Sequence, residues 1–316
     1  MSPGGPDGPE PAGPLRIGTR GSALALAQAN AVADALAVEA ELVPIRTAGD
    51  ERGGVPAPAD GDDKSRFVRE IERALLDGEI DLAVHSAKDV PGELPDGLAI
   101  LGVPTRLDPA DAWIGPGGSI AEVPEGARVG TASLRRRSQL LALRPDLEIV
   151  ELRGNVDTRL RKLAGGEVDG IVLAAAGLER IGRSEEISFR FSLQELTPAP
   201  GQGALALEGR IEGVEHIAPA IALTDGPSLI ELTAERAAVR GLEASCHTPV
   251  GICARFADGG GLRVSGYAGL PDGTSHVLDS VIGDPEQPVA LAEALVDSMA
   301  EAGALDLLAR AEEWSA

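Results

Sequence analysis

Apolar residues cluster at 15–19, give way to Gly21 and Ser22, and resume as an Ala-rich stretch with helical spacing over 23–39, followed by a second apolar run at 42–46. This order predicts a βαβ unit whose helix is N-capped by Ser22. Residues 47–63 are Gly, Pro and Asp with little periodicity, and read either as a mobile lid or as a disordered insertion. A helix over 67–77 and strands at 82–85 and 98–103 continue the alternation. The chain then crosses out of this lobe near 105–111. A second alternation follows, with strand 128–130, helix 133–143, strand 148–152, helix 156–164 and strand 170–174, which predicts a second α/β lobe. The Pro- and Gly-rich stretch 197–203 reads as a return crossing, and 204–207 as a strand added back to the first lobe. Beyond Gly226, a helix at 228–244, three strand-like segments between 250 and 282, and a helix at 289–302 read as a smaller α+β unit.

The expected fold class is therefore α/β, with two lobes and a C-terminal α+β domain. The expected boundaries are a disordered leader at 1–14, a first domain of 15–104 plus 204–222, a second of 105–203, and a third of 223–316.

Composition narrows the function classes. The net charge of −22 over 316 residues excludes a general nucleic-acid or anionic-membrane surface. No apolar run approaches the roughly 18 residues of a membrane span, and 1–14 lack the apolar core of a signal peptide, so the expected compartment is the cytoplasm. Two cysteines, Cys246 and Cys253, make neither a disulfide scaffold nor a zinc pattern. Aromatic residues are only 2% of the chain, so recognition by stacking is disfavoured and recognition by charge is expected. Three lysines occur, Lys64, Lys88 and Lys162, so 25 of the 28 basic residues are arginine.

Positive charge concentrates between Arg128 and Lys162, where nine basic residues face four acidic ones. Arg135 and Arg136 fall in the first turn of the helix behind Ser133, while Arg153 and Arg159 flank the turn Gly154-Asn155. Both places are strand ends, where open α/β sheets bind ligands. A helix N-terminus offers free N–H groups, and the guanidinium fork suits carboxylate or phosphate. The pattern predicts a polyanion site of either chemistry, set against a merely solvated basic face. His85-Ser86-Ala87-Lys88-Asp89-Val90-Pro91 stands at another strand end. There Lys88 can bind an anion and Asp89 can stabilise a developing cation, whereas His85 reads as a packed, hydrogen-bonded histidine. Arg20 and Ser22 repeat this logic after the first strand, and Lys64 is a candidate lid cation. Cys246, in a loop beyond a helix, suits an accessible thiol able to attack carbon; Cys253, in an apolar strand, reads as inert.

Six motifs then occur in one order: Arg20 with Ser22, HSAKDVP at 85–91, GTASLRRRSQL at 130–140, LRGNVDTRL at 152–160, PAPGQGALALE at 198–208, and the Cys246 loop. Together they resemble the porphobilinogen deaminase, or hydroxymethylbilane synthase, family from residue 15 to the C-terminus. The resemblance implies two lobes shaped like those of periplasmic binding proteins, plus a third domain bearing the cysteine. It implies a dipyrromethane cofactor attached by a thioether to Cys246. It also implies a transferase reaction in which four porphobilinogen molecules are joined head to tail, each losing ammonia, before hydrolysis releases linear hydroxymethylbilane. Every pyrrole carries an acetate and a propionate, for which Arg is a natural counterion. By this resemblance Asp89 is catalytic. Carboxylate binding falls to Arg20, Lys88, Arg135, Arg136, Arg153, Arg159 and Arg180, with support from Ser22, Thr131 and Ser133. The family resemblance implies a monomer, and the acidic charge leaves no nucleic-acid or membrane partner expected. Asp63 and Ser65 around Lys64, and Ala244-Ser245 before Cys246, stand where the family commonly has glycine, which implies a stiffer lid and a narrower choice of backbone before the thiol. The competing readings are a noncatalytic two-lobed anion-binding protein and, more weakly, a phosphate-handling enzyme, for which no Gly-x-x-x-x-Gly-Lys-Ser/Thr pattern exists.

Overall fold

The computed structural model of the chain describes residues 13–45, 63–244 and 248–315. The first lobe begins with β1 (Leu15–Arg20), α1 (Ala23–Ala35), β2 (Ala40–Ile45), α2 (Asp63–Leu76), β3 (Leu82–Ser86) and β4 (Leu98–Gly102). The second contains β5 (Asp111–Ile114), β6 (Arg128–Gly130), α3 (Leu134–Leu143), β7 (Glu148–Val150), α4 (Val156–Ala164), β8 (Gly170–Ala174), α5 (Ala175–Arg180) and β9 (Phe189–Arg190). The chain then returns as β10 (Leu205–Arg210) and the short α6 (Ala218–Ile221). A third unit follows, with α7 (Gly226–Gly241), β11 (Val250–Phe256), β12 (Leu262–Gly269), β13 (His276–Gly283), α8 (Pro288–Glu301) and α9 (Ala304–Ser315).

The two lobes share one topology. The first sheet runs β2-β1-β3-β10-β4 and the second β7-β6-β8-β5-β9. In each, three parallel strands are followed by one antiparallel strand wedged before the edge: β10 between β3 and β4, and β5 between β8 and β9. The wedged strand is in both cases the one that follows an inter-lobe crossing. This is the expected two-lobed α/β architecture, and the C-terminal antiparallel sheet β11-β12-β13 completes the fold class.

The sheet of each of the two lobes is covered on both faces, which is why its strands read as apolar runs rather than alternations. Ala29 and Val32 of α1 pack on Ile17, Leu82, Val84 and Leu207. Ile71 and Leu75 of α2 cover the opposite face at Ile80 and Ala83. In the second lobe, Leu160 of α4 lies on Ile171 and Leu173, while Leu140 of α3 lies on Val129, Val172 and Trp113. In the third unit, α7 and α8 bring Ala234, Ala238, Leu295 and Met299 onto Ile252, Ala254 and Val264.

Several element bounds differ from expectation. The first helix stops at Ala35, because Leu36 turns extended and Ala40 must pair with Leu15 in register. The helix after the second crossing starts at Gly226, since Asp225 caps Ser228 N at 3.0 Å and Pro227 suits the first turn. It ends at Gly241, short of 244. β5 was not foreseen, the expected crossing at 105–111 meeting only its first residue; its four residues are all buried, so neither length nor alternation marks them. α9 lies beyond the last helix foreseen and adds Leu308 to the third core.

The two crossings lie side by side. Leu107 N donates to Gly203 O at 3.2 Å, and Gln202 Nε2 donates to Pro109 O at 2.7 Å. Gly203, at φ +88°, has no room for a Cβ against the Leu107 carbonyl. The third unit is locked onto this hinge by Arg106, whose buried guanidinium bonds Glu235 at 2.7 Å and Glu231 at 3.2 Å, while its Nε reaches Gln202 O at 2.9 Å. Among the described residues no helix is long and apolar enough to cross a membrane.

Candidate active site

Three strand ends carry the residues singled out in the sequence: Arg20 at the end of β1, the turn after β3, and the Thr131–Ser133 turn after β6. Ser22 caps α1 by accepting from Ala25 N at 3.3 Å. Ser133 caps α3 by accepting from Arg136 N at 3.4 Å, and Thr131 Oγ1 accepts from Ser133 N at 3.1 Å. Each hydroxyl oxygen thus serves the backbone, and each hydroxyl hydrogen remains a donor for an anion.

The turn carrying Lys88 and Asp89, both half-buried, is held from every side. Ser86 Oγ accepts from Gln28 Nε2 at 2.8 Å, and Ala87 N donates to Ala204 O at 3.0 Å. Gly201, at φ +74°, lies against the Ala87–Lys88 peptide where a Cβ would collide. From α7, Arg236 Nη2 donates to Pro91 O at 2.8 Å and Gly92 O at 3.0 Å. Arg236 was not foreseen; its position inside an amphipathic helix gave no signal that it reaches the segment after Asp89.

Arg135 and Arg136 are buried and share one counter-charge, Asp111. Arg135 Nη1 lies 2.8 Å from Asp111 Oδ2 and donates to Thr197 O at 2.6 Å. Arg136 bonds Asp111 Oδ1 through Nε at 3.0 Å and Nη2 at 2.8 Å, and Val172 O through Nη1 at 2.9 Å. Burial opposes ionisation of Asp111, but the two guanidinium groups outweigh it and hold the carboxyl well below its usual range. Two positive charges against one negative leave the pair net cationic. Asp111 and Gln202, whose Nε2 donates to Asp111 Oδ1 at 2.9 Å, were also missed. An acidic residue opening a buried apolar run was the available sign.

Arg159 of α4 is brought between the lobes. Burial pushes its guanidinium down to about 10, the nearby Arg136 adds to that, and Asp89 of the first lobe opposes it. Its Nε is buried with no hydrogen-bond partner among the described residues. Arg180, at the end of α5, donates to Gly203 O at 2.7 Å, and burial pushes it to about 10 as well. Both stay protonated at neutral pH. Arg153 is placed differently, 53% exposed and bonded through Nε to Glu151 at 2.5 Å. Cys246 and the side chain of Lys64 lie outside the described residues, as do the leader to residue 12 and the segment 46–62. Cys253 is buried in β11, where burial and the neighbouring Glu235 push its thiol up and keep it protonated.

Two lobes crossed twice, buried arginines near the strand ends of one lobe, and a half-buried carboxylate at a strand end of the other define a two-lobed α/β protein with its charged groups gathered where open α/β sheets hold ligands. Residues 15–217 match the family model described as porphobilinogen deaminase, dipyromethane cofactor binding domain, and residues 229–302 match porphobilinogen deaminase, C-terminal domain. Curated relatives called porphobilinogen deaminase include one from Brevibacillus brevis, 44% identical over 94% of this chain and 97% of its own length. Those from Thermus thermophilus, 46% identical over 93% and 98%, and Syntrophotalea carbinolica, 48% over 91% and 91%, agree. The chain belongs to the porphobilinogen deaminase family. Its reaction is the condensation of porphobilinogen into hydroxymethylbilane with a dipyrromethane cofactor, and the noncatalytic alternative is not favoured. The residues present fit that cofactor: a dipyrrole bearing several carboxylates needs partly desolvated cations, and the orphaned Nε of Arg159 beside the net-cationic Arg135–Arg136–Asp111 group provides them.

Proposed function

We propose that Cys246 holds the dipyrromethane through a thioether and that Asp89 is the reacting carboxylate. The acetate and propionate groups of cofactor, substrate and growing chain are bound by Arg20, Lys88, Arg135, Arg136, Arg153, Arg159 and Arg180, with Ser22, Thr131 and Ser133 donating hydroxyls. The observation that carries this reading is Arg159, a buried cation from one lobe whose electrostatic neighbours are Arg136 and, across the cleft, Asp89.

When bound, the cofactor supplies the free pyrrole α-carbon from which the chain is extended. The protein's own work is electrostatic. Loss of ammonia leaves positive charge on the porphobilinogen unit, and a carboxylate fixed at Asp89 stabilises it without reorganising. The same carboxylate accepts from pyrrole N–H groups and so orients the ring edge. The arginines neutralise the two carboxylates each unit brings, with the bidentate fork setting register. Burial of Cys253, with its thiol pushed up, supports Cys246 as the attachment point.

We further assign the division into 15–104 plus 204–222, 105–203 and 223–316, a monomeric state, and a cytoplasmic location, supported by the family membership and the acidic surface. The denatured mass of purified protein, compared with Cys246→Ser, tests the site: one dipyrromethane of excess mass on the parent and none on the variant is expected. An excess that persists on Cys246→Ser refutes the assignment.

A further inference from the structure

Behind the turn that bears Asp89, three ionisable side chains are buried in the first lobe. Glu72 on α2, His85 on β3 and Glu208 on β10 are 5%, 6% and 0% exposed. His85 Nε2 lies 2.9 Å from Glu208 Oε2. Among the described residues, Glu72 Oε1, both Glu208 carboxylate oxygens and His85 Nε2 are buried without a hydrogen-bond partner of good geometry. The charged groups around Glu72 are Arg69 on its own helix, His85 and Glu208; on the far side Glu208 faces Arg236 of α7. On the same helix and strand, Ile71, Leu75 and Ala83 belong to an apolar cluster with Ile80 and Leu98, a setting poor at solvating a second negative charge.

Glu72 is withdrawn from water with a carboxylate oxygen that finds no hydrogen-bond partner among the described residues, so its ionised form is disfavoured. Burial and Glu208 push Glu72 up to about 7, with His85 and Arg69 opposing, which makes Glu72 the proton's seat. The location gives the cluster a task. His85 is the last buried residue of β3 before Ser86, Ala87, Lys88 and Asp89, Glu208 sits on the strand paired with β3, and Arg236, whose charge Glu208 favours, donates to the backbone just beyond Asp89.

We propose that Glu72, His85 and Glu208 are positioning residues: a buried cluster, held together by a proton on Glu72, that fixes the end of β3 and with it the placement of Lys88 and Asp89. Its catalytic arm rests on the assignment of Asp89 as the reacting carboxylate, while its protonation arm does not.

Glu72→Gln is isosteric with the protonated acid and carries no charge. In the holoenzyme at about pH 6, the infrared difference spectrum between parent and Glu72→Gln should contain the C=O stretch of a carboxylic acid. Glu72→Gln should keep kcat within about twofold of the parent, whereas Glu72→Ala and His85→Asn should lower kcat about tenfold or more while KM moves less than about twofold. Absence of the carboxylic-acid band, or failure of Glu72→Gln to fold, overturns the protonated cluster, since the neutral isostere must then be unacceptable. Parent-like kcat in both Glu72→Ala and His85→Asn overturns the positioning role even if the band is present. A failure of the Asp89 assignment would show instead as an active Asp89→Asn enzyme with the band intact.

Discussion

Replacing Asp111 by Asn removes one negative charge from a fully buried position where it meets Arg135 at 2.8 Å and Arg136 at 2.8 Å and 3.0 Å. Arg135 would keep Thr197 O, Arg136 would keep Val172 O, and Gln202 Nε2 would keep Pro109 O, but two guanidinium charges would be left in the interior without a counter-ion. Breaking a buried pair by removing one member costs about 3–5 kcal/mol, and because one carboxylate serves two cations here the upper half of that range applies. The assay is urea unfolding of the cofactor-loaded protein, read by a probe in the second lobe so that the transitions of three units are not averaged. The midpoint should fall substantially at an unchanged slope. A loss under about 1 kcal/mol would refute the reasoning, for it would mean that Asp111 is not what neutralises the pair. The sign of the pH effect is equally definite. Asp111 is held well below its usual range, so its contribution is complete above the unfolded carboxylate's pKa and is lost only as pH falls through the depressed native value. Mild acid should therefore leave it in place.

Asp89→Asn should retain the covalently attached cofactor by denatured mass while losing most turnover; near-parental turnover would remove Asp89 from the chemistry. Glu72 behaves oppositely to Asp111: its pKa is raised to about 7, so its stabilisation is complete below the unfolded carboxylate's range and is lost as pH rises through about 7. The loss should be at most roughly 3 kcal/mol, with Glu72→Gln flattening that limb of the stability profile, and an unchanged limb would contradict the assignment. Because a net charge of −22 repels an anionic substrate while the cleft attracts it, added salt should weaken substrate capture through the local field. A KM independent of ionic strength would argue against focusing.

Much of the architecture was readable because its signals are local. Ser133 before LRRR announces a cap, and the apolar runs at 82–86 and 170–174 announce buried parallel strands. What escaped is nonlocal. The four buried residues of β5 resemble any apolar connection, and only pairing with β8 and β9 makes them a strand. The motif residues Arg135 and Arg136 were readable as cations but not as partners of Asp111, because nothing in LRRR says which distant carboxylate it will meet. Arg236 and Glu208 likewise gain their meaning from strands and loops that approach only after folding. Arg153 looked equivalent to Arg159 on the two sides of Gly154-Asn155, yet one is solvated beside Glu151 and the other is buried toward Asp89.

The wedged position of β10 bears on how the chain is made. The second lobe's strands all lie between Asp111 and Arg190, so its sheet can close as soon as that stretch leaves the ribosome. The first lobe, although translated earlier, has β4 separated from β3 by a strand that is not synthesised until residues 205–210. During the interval β3 and β4 expose unpaired edges, the kind of surface that invites misassociation. The nascent polypeptide should thus mature out of order, with the later lobe acting as a folded neighbour while the earlier one waits for the strand that joins β3 to β4. Chaperone contacts during synthesis should accordingly fall on the first lobe and end once β10 has emerged.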